Sequence, residues 1–270
     1  MGLASLLLPQ PEPRLKRPDK TTQRPLLANF DPVAEIYDET REKLSEVELR
    51  FLTDELQGTR TLEIAVGTGR LAKPLQDRGI DITGIDVSTR MLSRAKEKGT
   101  RHLVRGEVTH LPFKDSSFDA VLVVHFLHLV PDWPALIGEI TRVAEDKLVS
   151  VDSRASSKAK RPRELYLEML EKNGYPPPVK TAGELLLAEK VRPSRMELIE
   201  KASEAGNMDK MLDMLEKKWL AVTWTVPDGL HRELVRELRK DLTGKTVDFT
   251  HENFLLVWKV EDLSRVLPYL

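Results

Sequence analysis

The sequence has no cysteine in its 270 residues. That excludes disulfides, zinc ribbons, thiolate clusters and cysteine nucleophiles together. It also lacks a long apolar run. The most apolar stretch, 120–130, carries His125 and His128 and falls short of the ~18–20 residues a membrane helix needs. Leu6, Leu7 and Leu8 are followed at once by Pro9, and basic residues come after it. A secretory signal has the reverse order, so none is expected. Neither sign of charge prevails: 42 Lys+Arg against 43 Asp+Glu leave a net charge of −1. A general nucleic-acid coat or a polybasic membrane binder would be far more basic. No cluster has metal-ligand spacing, so no metal is expected, and no internal repeat is present.

What is there describes a globular chain. Hydrophobic residues make up 40% and charged residues 31%, enough apolar material for one large or two modest domains. High charge with little Cys, Asn or Gln leans toward a thermophilic source. A cytoplasmic location is expected.

Residues 1–28 hold five of the 17 prolines, interspersed with Arg and Lys, and read as a flexible basic head. From Asp31 a helical spacing appears: Leu44, Val47, Phe51, Leu52 and Leu56, stopped by Gly58. Strands and helices then alternate. Strands are predicted at 61–66, 80–86, 102–105, 120–124 and 147–152, with helices at 70–78, 88–98 and 132–143. That alternation implies crossover units and a parallel sheet, hence a doubly wound α/β fold. Beyond it, helices are predicted at 162–172, 195–205, 208–223 and 231–242, and a β pattern returns at 247–249 and 254–260. The expected organisation is a ligand-binding α/β domain over 29–152 and 246–270. A helical insertion, 153–245, interrupts it before the last strand or strands and serves as a substrate lid.

The informative stretch runs from Leu62 to Arg70. A strand enters the Gly67-Thr68-Gly69 turn, which opens a helix. Such a turn lets a ligand approach backbone N–H groups. Asp86 ends the second strand, where an acid can accept both hydroxyl protons of a ribose. After the third strand, Glu107 can take a proton from an exocyclic amine while Val108 packs on a purine. Together these describe an adenosine-containing ligand in the crevice. A nicotinamide dinucleotide would bring a pyrophosphate to the turn, where Glu63 is an unwelcome neighbour. S-adenosylmethionine brings an ammonium and a sulfonium, which a carboxylate favours.

These motifs resemble class I S-adenosylmethionine-dependent methyltransferases, in particular the small-molecule group often called type 11. The likeness covers about 31–152: Glu63-Ile-Ala-Val-Gly67-Thr-Gly69 as the first motif, Asp86 with Ser88 and Met91, Gly106-Glu107-Val108 with Leu111-Pro112-Phe113, and His125-Phe-Leu-His128-Leu-Val-Pro131-Asp132. Tyr37-Asp38 is similar to a pair that often precedes the core. The resemblance implies a Rossmann-like methyltransferase sheet and S-adenosylmethionine as cofactor. It implies cofactor contacts by Tyr37, Glu63, Ala65, Gly67, Thr68, Gly69, Asp86, Val87, Met91, Gly106, Glu107, Val108 and Val124. The chain departs from the pattern at Glu107, where Asp is commoner, and in the absence of a Gly pair before strand five. The signature of amino-group methylation on bases and Gln is missing; Val124-His125-Phe126-Leu127 stands there.

Methyl transfer by in-line displacement chiefly requires positioning, with a base where the acceptor carries a proton. His125 is the candidate base or acceptor contact, and His128 a weaker one. Arg154, Tyr166 and Trp219 are candidate acceptor contacts on the insertion. Arg154, Lys158, Lys160, Arg161 and Arg163 form a basic run that fits a solvated hinge or a clamp for an anionic acceptor. The expected acceptor is a small molecule. Two alternatives stay open: a tRNA methyltransferase using the basic head and the 154–163 run, and a NAD(P)-binding enzyme.

Overall fold

The computed structural model describes residues 30–40, 44–175 and 183–270. The basic head, 1–28, and the Pro176–Pro178 run lie outside the described residues. Helix α1 (Glu46–Leu56) starts at Ser45, whose hydroxyl accepts the Glu48 N–H at 3.1 Å while the Glu48 carboxylate accepts the Ser45 N–H at 2.9 Å. This reciprocal cap satisfies two donors that a helix end otherwise leaves open. Leu49, Leu52 and Leu56 then fall on one buried face.

Seven strands form one sheet: β1 (Arg60–Ile64), β2 (Asp81–Asp86), β3 (Leu103–Arg105), β4 (Phe118–Val124), β5 (Ala144–Ser157), β6 (Arg195–Asn207) and β7 (Thr246–Lys259). Their order is β3-β2-β1-β4-β5-β7-β6. The first five run parallel, and β7 is antiparallel to both of its neighbours. Helices α2 (Ala72–Asp77), α3 (Thr89–Glu97) and α4 (Trp133–Val143) are the crossovers. Two separate apolar clusters result. One contains Ile64, Val121, Val123, Leu136 and Trp258, and the other Leu52, Leu75, Ile82, Leu122 and Leu255. Alternate residues of β4 belong to opposite clusters, as the period of a doubly covered strand requires. Strand order reverses between β1 and β4, so a crevice opens beyond their carboxyl ends, where open α/β sheets bind ligands.

The helical insertion needs correction. Residues 195–205 are not a helix but most of β6, and β5 continues to Ser157. Ile199, Ala202 and Ala205 imitate a helical spacing, but Arg195–Asn207 pairs along nearly the whole length of β7. Tertiary pairing overrides local propensity here. As an edge strand, β6 exposes most of its side chains, many of them charged, which discourages pairing with other chains. The inserted helices α5 (Pro162–Lys172), α7 (Met208–Glu216) and α8 (Asp228–Leu242) share a third cluster with Val247 and Phe249 of β7. They form a cap on the extended ends of the last strands. The two remaining helices are α6 (Glu184–Lys190) and α9 (Val260–Val266). No helix among the described residues is long and apolar enough to cross a membrane.

Candidate active site

The site begins in the turn after β1. Gly67 and Gly69 hold φ of 55° and 72°, a region favourable to glycine. Gly67 borders the cleft. Gly69 has a different reason to be glycine: a Cβ there would lie 2.3 Å from Thr100 Oγ1 and 3.2 Å from the Ala95 Cβ. It packs the turn against the chain around α3 and does not face ligand space. Asp86, at the end of β2, ties two turns together. Its Oδ2 accepts the Gly67 N–H at 2.9 Å and its Oδ1 the Ser88 N–H at 2.8 Å. Burial raises its pKa above the ordinary value, against those N–H groups.

Around these residues lies a cleft of about 680 Å³, counted out to its open mouth. Its wall takes Ala65 and Gly67 from the first turn, Asp86, Val87 and Met91 from β2 and α3, and Val108 from beyond β3. Val124, His125, Phe126 and Leu129 come from the end of β4 and beyond, and Phe30 and Tyr37 from the segment before α1. That segment is pinned over the crevice. Asp38 accepts the Thr68 hydroxyl and the Lys98 ammonium, each at 2.6 Å, and Asp31 accepts the Ser88 hydroxyl. Burial raises the Asp38 pKa, but Lys98 and Thr68 outweigh it and hold the carboxyl below the usual range. Phe30 meets Tyr37 and Trp224 edge-on, at 5.9 and 4.7 Å between ring centres.

Glu63 sits on β1, 3% exposed, and outside the cleft wall. Its Oε2 has no hydrogen-bond partner. Burial chiefly, with Asp86 adding, pushes its pKa to about 8 against the pull of Arg70 and the Ala72 N–H. A buried, unpartnered carboxyl oxygen is costly unless a donor reaches it.

The comparisons with known proteins bear on this geometry. Residues 62–147 match a family model described as a methyltransferase domain. A demethylmenaquinone methyltransferase of Streptomyces avermitilis is 31% identical over 223 residues, covering 75% of this chain and 91% of that one. The chain belongs to the class I S-adenosylmethionine-dependent methyltransferases. A Renibacterium salmoninarum demethylmenaquinone methyltransferase is 35% identical over 138 residues, 48% of this chain and 56% of that one. A Cereibacter sphaeroides phosphatidylethanolamine N-methyltransferase is 35% identical over 117 residues, 40% of this chain and 57% of that one. Those two matches span little more than half of the relatives' lengths. Among solved structures, the YcgJ protein of Bacillus subtilis is 17% identical with a TM-score of 0.50, covering 78% of this chain and 97% of that one. At that identity it speaks for the fold alone.

A methyltransferase of this family uses S-adenosylmethionine, and two features fit it. The unpartnered Glu63 oxygen suits the cofactor's cationic end. Asp86, at the cleft wall, suits a ribose diol, since its oxygens retain lone pairs. Nine of the expected residues line the methyltransferase cleft: Tyr37, Ala65, Gly67, Asp86, Val87, Met91, Val108, Val124 and His125. Glu63, Thr68, Gly69, Gly106, Glu107 and His128 do not. Thr68 is buried and spends its hydroxyl on Asp38. Gly106 packs under Ile85 and Pro112. Glu107 is exposed in a short bridge to His110.

The three acceptor candidates on the insertion stand elsewhere. Tyr166 is fully buried in the cap core, its hydroxyl 2.7 Å from His231 Nδ1; it is a packing residue. Trp219 lies beneath the Lys217 ammonium, outside the cleft wall. Arg154 is exposed over the Phe254 ring and paired with Glu252 at 2.8 Å. The 153–245 region borders the site through other side chains. Trp224 touches Phe30, and Glu184 accepts the Phe126 N–H at 2.8 Å. The residues that sequence reasoning missed are Phe30, Phe126, Leu129, Asp152 and Glu184. Phe126 and Leu129 lie in the run already singled out after β4, whereas Glu184 has no local signal.

Proposed function

We propose that this chain transfers the methyl group of S-adenosylmethionine to a small-molecule acceptor with an apolar body, of the demethylmenaquinone type in its reduced form. The observation that carries the reading is the single cleft. It joins the turn after β1, Asp86 and Val108 to an apolar mouth made by Phe30, Tyr37, Phe126 and Leu129. When bound, the cofactor supplies an already activated methyl on a positively charged sulfur. The chain's own work is then to align and to exclude water. Gly67, Asp86, Met91 and Val108 would hold the adenosine end, and the Glu63 carboxyl would supply the acid for the cationic end. Phe126 and Leu129 flank the apolar acceptor, and His125 stands beside it. A cytoplasmic site of action accords with the cysteine-free sequence.

The anionic-acceptor and nucleic-acid readings lose part of their support. Within the basic run, Arg154 pairs with Glu252, Lys160 with Glu168 and Arg161 with Glu164, so much of its charge is already met. The test is binding first and turnover second. S-adenosylhomocysteine is expected to raise the melting temperature and NAD to leave it unchanged. Labelled methyl is expected to pass from S-adenosylmethionine to reduced demethylmenaquinone in detergent, and not to tRNA. Absence of a thermal shift with S-adenosylhomocysteine and with S-adenosylmethionine would overturn the reading.

A further inference from the structure

At the acceptor end of the cleft, three ionisable side chains converge from three elements. In the parallel register Val124 of β4 pairs with Val151 of β5. The next residues, His125 just past the end of β4 and Asp152 within β5, are therefore neighbours. His125 has φ of 50°, a backbone state uncommon for a residue other than glycine. Its side chain, 36% exposed, lines the cleft, and its Nδ1 lies 3.6 Å from Asp152 Oδ1. That is ion-pair distance, slightly longer than a hydrogen bond, as ligand-free sites often show. Asp152 is only 13% exposed and held at both oxygens: Oδ1 accepts the Ser153 N–H at 2.8 Å and Oδ2 the Leu185 N–H at 2.9 Å. Behind them Glu184, the first residue of α6, is fully buried. Its Oε1 accepts the N–H groups of Phe126 and Leu127, at 2.8 and 3.3 Å, and its Oε2 has no partner. His128 closes the group: a Cβ on Gly183 would lie 3.3 Å from Asp152 Oδ2 and 3.7 Å from His128 Nδ1.

We propose that Asp152 and Glu184 are positioning residues that hold His125 with Nδ1 toward Asp152 and Nε2 open to the cleft as a proton acceptor. The inference rests on the methyltransferase reading and deepens it, since it calls for an acceptor whose nucleophile sheds a proton, such as an aromatic hydroxyl. The acceptor's electron pair forms the bond to the methyl carbon, and the carbon–sulfur pair stays with sulfur. The acceptor's proton passes to His125 Nε2. The resulting imidazolium faces the Asp152 carboxylate, and the proton then leaves to water. The charges divide accordingly. Burial raises the Asp152 pKa, but His125 and the two N–H groups outweigh it and hold the carboxyl below its ordinary value. Burial first, and Asp152 next, push Glu184 to about 7. Asp152 is thus the charged partner. Glu184, when protonated, buttresses the 125–127 turn without adding a second buried charge. Both roles follow from geometry that no local sequence motif displays.

The test needs no acceptor. In the full chain labelled with ¹⁵N-histidine, NMR reports which His125 nitrogen carries the proton. Diethylpyrocarbonate, which attacks an unprotonated ring nitrogen, reports access to Nε2 by mass spectrometry. The wild type is expected to hold the proton on Nδ1 and to react fastest at His125. Asp152→Ala should move the proton to Nε2 and slow that reaction several-fold. Asp152→Asn repeats the test without loss of volume, should the alanine variant not fold. Glu184→Gln should retain the wild-type behaviour, and Glu184→Leu should lose it, because only glutamine still accepts the two N–H groups. Calorimetry with S-adenosylhomocysteine runs alongside and is expected to give the same affinity in all variants. If the wild-type proton sits on Nε2, or the Asp152 variants match wild type in both readouts, the proposal fails. If S-adenosylhomocysteine does not bind wild type, the methyltransferase reading fails, while the two histidine readouts still decide the positioning roles.

Discussion

Glu63 shows how a single carboxyl can couple ligand binding to stability. In the ligand-free protein it stays protonated up to about pH 8, against a usual value of 4.5. Unfolding would release it to its ordinary value. A raised acid pKa means that the unfolded state gives up its proton first as pH rises. Stability therefore falls between about pH 4.5 and 8 and levels off above that. Glu63→Gln removes the ionisation. Melting curves should show the variant gaining on wild type at pH 8 relative to pH 5, while its affinity for S-adenosylmethionine drops. An equal difference at both pH values would exclude this role. Asp86→Asn tests the ribose contact. The loss of a charged acceptor is worth ~1.5–3 kcal/mol, so calorimetry should show a roughly 10–100-fold higher Kd for S-adenosylhomocysteine. Of the site residues, those at the ends of β1, β2 and β4 were legible because the element ends themselves are. Phe30 and Glu184 were not, because only long-range folding brings them to the cleft.

At the scale of elements, legibility followed burial. β1, β2, β4 and the buried first half of β5 were legible because short buried segments rich in Ile, Leu and Val, set between turn and helix signals, have few other uses. α3 and α4 read correctly because Ser88 and Asp132 cap them, each accepting a backbone N–H of the first turn. β6 was misread because an exposed edge strand carries little periodic signal, and its partner β7 begins some forty residues later. Helix α1 offers a test of local encoding. Ser45→Ala removes half of the reciprocal cap and should cost about 1 kcal/mol. Denaturant unfolding would register this as a lower midpoint at unchanged slope. A midpoint equal to wild type would mean that the packed face of Leu49, Leu52 and Leu56 alone fixes the helix start.

For the molecule as a whole, the cap meets the segment before α1 through the ring contact between Trp224 and Phe30. The Phe30 ring is held between Tyr37 and Trp224, and Trp224 is fixed by its Nε1–H, which donates to the Lys218 carbonyl at 2.7 Å. An edge-on aromatic pair is worth ~0.5–1.5 kcal/mol. Trp224→Ala should therefore raise the Kd for S-adenosylhomocysteine about 2–10-fold, although Trp224 is not in the cleft wall. Unchanged affinity would mean that the cap does not help to hold the segment over the site.

The sequence by itself determined the alternation of strands and helices up to β5, the turn after β1, the acid that ends β2 and the apolar run into His125. Each of these is local: a strand, its turn and the helix it opens lie within some thirty residues. Tertiary structure decided the rest. It turned 195–207 into an edge strand, buried Tyr166 in the cap, met the basic run with acids, and set Asp152 and Glu184 behind His125. The physical reason is the same in each case. Pairing across a sheet and burial among distant elements depend on contacts far apart in the chain, and no local pattern of residues encodes them.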